Sequence, residues 1–74
     1  MREQVLEIAR NIRPDVDFEN ETRLIDDEIL ESFDVIQLVT EFMEKFDVDI
    51  DADDIEAENL NSIDAMVELI KSRL

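Results

Sequence analysis

The chain has 74 residues, 22 of them acidic and 7 basic, for a formal charge of −15. That charge excludes nucleic acid and anionic membrane surfaces, whose phosphates would be repelled, and favours protein partners with basic docking patches. Cysteine and histidine are both absent. Disulfides, thiolate metal sites and the usual general base of a nucleophilic triad are therefore excluded as well.

Residues 1–74 read as a single domain with a thin core, since a chain this short buries only about 60% of its unfolded surface. Glycine is absent and proline occurs once, which disfavours tight hairpins and favours helices. No apolar run approaches the ~20 residues of a membrane span. Met1-Arg2-Glu3-Gln4 lacks the apolar stretch of a signal peptide. The expectation is a monomeric, cytoplasmic protein without membrane insertion.

In chain order, Val5, Ile8, Ala9 and Ile12 fall at helical spacing, and Pro14 disfavours helix at Arg13. A first helix is expected from about residue 2 to residue 12. Residues 14–31 show no clean period, yet carry Val16, Phe18, Leu24, Ile25, Ile29 and Leu30. Such a long connection is expected to pack its own apolar side chains on the helices. Ser32 is read as the N-cap of a second helix, flanked by Glu31 and Asp34, which suit a positive helix end. Val35, Leu38, Val39, Phe42 and Phe46 give that helix a core stripe ending near Phe46.

An acidic stretch follows, with Val48, Ile50 and Ile55 as its apolar points and a short helix expected around 53–57. Ser62 or Asn61 caps a last helix in which Ile63, Met66, Val67, Ile70 and Leu74 line one face. Lys71 and Arg73 sit where a helix C-terminus favours cations. The expected fold is all-α: a small bundle of three main helices and one short helix, with a long loop between the first two main helices.

Ser32 taken alone is a helix cap, and without histidine it has no conventional base to make it a nucleophile. Its neighbours add to that. The run Leu24-Ile25-Asp26-Asp27-Glu28-Ile29-Leu30-Glu31-Ser32-Phe33, leading into Val35-Ile36-Gln37-Leu38-Val39, resembles the attachment motif of the acyl carrier protein superfamily, and the likeness extends over nearly the whole chain. The resemblance implies a carrier of the kind used in fatty acid biosynthesis rather than an enzyme. Ser32 would hold a covalent 4′-phosphopantetheine arm from coenzyme A, making a phosphoprotein that carries an acyl or aminoacyl group as a thioester. Implied partners are a phosphopantetheinyl transferase, recognising Glu31 and Phe33, an acyl or aminoacyl ligase, and acyl-accepting enzymes. The implied docking face comprises Ile36, Gln37, Thr40, Met43 and Glu44, with Phe33 beside it.

Three features depart from the family pattern. Glu31 stands where aspartate is usual, Phe33 replaces leucine or methionine, and Glu28 occupies a place where some members have glycine, denying the loop an easy positive φ. The two apolar residues before Glu31 are closest to D-alanyl carrier proteins of teichoic acid modification.

Two other readings stand beside this one. Acids at Asp47, Asp49, Asp51 and Glu58 match the ligand spacing of an EF-hand calcium loop, although Ala52 replaces its glycine and Asp54 falls where an apolar residue is usual. The chain could also be a structural or adaptor bundle in which Ser32 serves only as a cap. No dedicated metal site is expected.

Overall fold

The computed structural model describes residues 1–74. Four α-helices are present: α1 (Arg2–Ile12), α2 (Ser32–Phe46), α3 (Ala57–Leu60) and α4 (Ile63–Arg73), with a 3₁₀ turn at Ala52–Asp54. There is no strand. Helix α1 packs against both α2 and α4, and α3 lies against α4. This is the small all-helical bundle the periodicity predicts.

α1 ends where Pro14 requires it, with Arg13 already extended at φ −134°, ψ 81°. Its deepest residues are Val5, Leu6 and Ala9, whereas Ile8 and Ile12 are half-buried. The core face is thus turned toward Leu6 relative to the expected stripe. In α2, Val35, Leu38, Val39 and Phe42 are buried, and Phe46 packs at the edge of the core. Asp47 closes α2 in the left-handed conformation, φ 54°, a position usually given to glycine. Val48 and Ile50 then point inward while Asp47, Asp49 and Asp51 stay exposed, the two-residue alternation of extended chain.

The long loop behaves as expected, burying Phe18, Leu24 and Leu30 among the helices. It closes on itself where Leu24 C=O accepts from the N–H groups of both Ile29 and Leu30, each at 3.0 Å. Glu28 makes that closure possible with φ 56°. The absence of glycine therefore does not deny the loop a positive φ, because the glutamate adopts it.

Two further expectations are corrected, on the short helix and on Leu74, and the choice of cap for the last helix falls to Ser62. The short helix foreseen at 53–57 is divided: a 3₁₀ turn ends at Asp54, and α3 begins at Ala57. The acids before it are held in turns by backbone and side-chain bonds, and Leu60 is the only buried residue of α3. Ser62 caps α4, its side chain accepting from Ala65 N–H at 3.1 Å. Leu74 is 73% exposed and forms no part of the core, whereas Leu69 is buried.

Candidate functional site at the start of α2

The N-cap of α2 is Glu31, with extended backbone at φ −89°, ψ 165°. Ser32 is the first helical residue, so its expected role as the cap is corrected by one position. The physical reason lies at Asp34. Its carboxylate Oδ2 accepts from the backbone N–H of Glu31 at 3.1 Å. An acid at the third helical position reaching back to the cap residue is half of a capping box, and it fixes the helix start at 32. Ser32 is thereby released from capping and stands exposed at the helix tip.

Asp34 is the one charged residue in the buried set, 6% exposed. Its charge is met by Arg13 Nη1 at 2.7 Å, and the same nitrogen reaches Ile29 C=O at 3.3 Å. Arg13 also holds Asp15 through Nε at 3.0 Å and Nη2 at 2.9 Å. Hydrogen bonding to Asp15, and then to Asp34, keeps the guanidinium charged far above neutral pH. The Arg13 bond lowers the Asp15 carboxyl below its ordinary range. A depressed carboxylate contributes stability above its unfolded value and loses it as pH falls through the folded one, so this clamp is fully present at neutral pH. It ties the end of α1, the last part of the loop and the first turn of α2 together behind Ser32.

On the other side of Ser32 lies a cleft of about 450 Å³. The loop supplies Ile25 and Leu30, α2 supplies Ser32, Val35 and Ile36, and the segment from Ala52 to Leu60 supplies the far wall. Eight of its ten lining residues are hydrophobic, so the cleft suits an apolar group rather than a charged one.

The remaining expected site residues divide into two sets. Glu31, Phe33, Ile36, Gln37, Thr40 and Glu44 are all exposed on α2, with Phe33 at 66% and Ile36 at 59%. Met43 does not stand with them; it is half-buried and packs against the core. Ile36 alone of this face joins Ser32 in lining the cleft. Four residues outside the sequence-derived site matter to it: Arg13, Asp34, Ile25 and Asn61. Asp34 had a signal, its three-residue spacing from Glu31. Arg13 had none, since 21 residues separate it from its partner.

The acids of the calcium-like spacing are not gathered. No group of three or more acidic side chains converges where a cation could be held. Val48 and Ile50 are drawn into the core between them, and Asp54 is engaged by Arg73. Hydrogen bonds from Asp51 N–H and then Arg73 lower the Asp54 carboxyl below its ordinary range. The EF-hand reading fails on this geometry.

Fold and site together define a small acidic helical bundle with an exposed serine at a helix tip beside an apolar cleft. Over 52 residues the chain is 38% identical to the acyl carrier protein of Buchnera aphidicola subsp. Baizongia pistaciae (strain Bp). The matched stretch is 70% of this chain and 64% of that relative, under two thirds of the relative's own length. No protein-family model matches the chain. The likeness supports the acyl carrier protein superfamily.

Proposed function

We propose that the chain is an acyl carrier, not an enzyme, and that Ser32 is the attachment point of a 4′-phosphopantetheine arm. The observation that carries this reading is Ser32 itself: an exposed hydroxyl at the first position of a 15-residue helix, opening onto an apolar cleft. A phosphodiester at that point would lie against the positive end of α2. Asp34 would oppose it, but Arg13 balances that charge at 2.7 Å. When bound, the arm supplies a thiol that carries the cargo as a thioester. The chain's own residues position the serine, shelter the cargo and present an acidic surface to basic partners.

The character of the cleft favours a fatty acyl cargo over the aminoacyl cargo of D-alanyl carriers, because an ammonium group gains nothing from eight hydrophobic neighbours. Incubation with coenzyme A and a broad-specificity phosphopantetheinyl transferase is expected to add one arm to the protein and none to Ser32→Ala. A protein that gains no mass, or a variant that still does, would overturn the reading. Ligase assays on the loaded form are then expected to favour fatty acids over D-alanine.

Glu31, Phe33, Ile36, Gln37, Thr40, Met43 and Glu44 are proposed to form the surface read by the transferase and later partners, with Met43 contributing only its exposed edge. Ile36→Asp is expected to leave the unfolding curve unchanged and to slow cargo loading about tenfold, since an aspartate would be desolvated in an interface. Loading kinetics equal to those of the parent would remove Ile36 from that surface.

A further inference from the structure

Asn61 sits between α3 and α4 and binds the long loop at four points. Its backbone C=O accepts from Leu24 N–H at 2.9 Å. Its side-chain Oδ1 accepts from Ile25 N–H at 3.0 Å and from Asp26 N–H at 3.1 Å. Its Nδ2 donates to Asp26 Oδ2 at 3.0 Å. Both lone pairs of the side-chain oxygen are used, and the amide cannot be flipped without facing its own hydrogens toward two N–H donors. The side chain is thus fixed in one orientation.

What it joins are two walls of the cleft. Ile25, gripped through its own N–H, lines the loop wall, and Leu60, the residue before Asn61, lines the opposite one. The α2 wall is held separately, by the Arg13–Asp34 clamp and by buried Val35 and Leu38. Buried Leu24 and Leu60 anchor the two walls in the core, while Ile25 is only partly buried and packs at the core's edge. The separation at the mouth of the cleft therefore depends on the Asn61 latch in addition to that packing, and a polar latch at the surface opens at lower cost than the packed core behind it.

We propose that Asn61 is a specificity-determining residue that sets the aperture of the cleft, and with it the length of apolar chain the cleft accepts. The proposal deepens the carrier reading, which supplies its biological use, but its test needs no arm on Ser32. The full chain with unmodified Ser32 is titrated with hexanol and dodecanol, and amide hydrogen exchange is followed by NMR. In Asn61→Ala, exchange at Ile25 and Asp26 is expected to quicken about tenfold while Leu38 and Phe42 keep their parental rates. The ratio of dodecanol to hexanol affinity is expected to rise about threefold or more, since methylenes that the closed cleft excludes become buried.

A second pair of variants guards against loss of folding. Asn61→Asp keeps the acceptor but sets a carboxylate against Asp26, and is expected to loosen the latch in the same way. Adding Asp26→Asn exchanges donor and acceptor, restores every bond, and is expected to return both readouts to within about twofold of the parent. An unchanged affinity ratio in the loosened variants, or a double variant that fails to recover it, overturns the proposal. Because the titration uses the chain with unmodified Ser32, failure of the transferase assay would leave this result standing.

Discussion

Asp34 illustrates how much one side chain can organise here. It accepts from the Glu31 N–H, setting the first residue of α2, and takes the Arg13 guanidinium, tying α1 and the loop to that point. Removing it leaves an orphaned N–H and a half-buried cation whose remaining partners are Asp15 and the Ile29 C=O. Asp34→Ala is expected to cost about 2 kcal/mol. Asp34→Asn, which can still accept from Glu31, is expected to cost about half of that. Urea unfolding of both variants measures the difference; equal losses would mean that the cap bond contributes nothing. The one-position shift of Ser32 from cap to first helical residue is a consequence of the same carboxylate. It moves the hydroxyl from an internal bonding role to an exposed one.

Among the secondary elements, the helices follow their apolar stripes, and the connections follow a different logic. The loop before α2 and the exit from α2 each place a non-glycine residue at positive φ, Glu28 at 56° and Asp47 at 54°. A left-handed conformation costs an L-residue roughly 1–2 kcal/mol, less for aspartate, whose short side chain tolerates it. Glu28→Gly is therefore expected to stabilise the protein by about 0.5–1 kcal/mol, and Asp47→Gly by less. Thermal unfolding tests the order, and a destabilised Glu28→Gly would show that the loop is not strained at that residue. The divided segment from Ala52 to Leu60 follows the same logic. Its acids satisfy the backbone locally in turns, leaving too few apolar residues to sustain one continuous helix.

For the whole molecule, a charge of −15 surrounds a core cluster of 18 residues. Six ion pairs involve Arg2, Arg10, Arg13, Arg23 and Arg73. Most of the 22 acids have no cation within reach, and their mutual repulsion opposes compaction. Raising the salt concentration from about 0.01 M to about 0.15 M shortens the Debye length from roughly 30 Å to roughly 8 Å, across a molecule 28 × 23 × 19 Å in extent. The melting temperature is expected to rise by several degrees over that range. A fall would mean that the ion pairs, weakened by the same screening, outweigh the repulsion.

The sequence by itself determined the number, type and approximate bounds of the main helices, because a 3.6-residue apolar period and a proline act locally on the chain. It also determined that Ser32 lies at the start of α2 in an acidic surrounding without histidine, where the hydroxyl has no conventional base within its own chain. The cap of α2 is a local matter too, since the three-residue spacing of Asp34 from Glu31 carries the signal that Glu31 and not Ser32 is the cap. Only the tertiary structure decided that Arg13 neutralises Asp34 and that Asn61 joins the loop to the α3–α4 junction. Those partners lie 21 and 35 or 36 residues apart, and no local pattern encodes a contact made when separate segments of chain fold together. The cleft beside Ser32 belongs to the same class. Its walls come from three stretches of sequence, each unremarkable alone, and the space exists only between them.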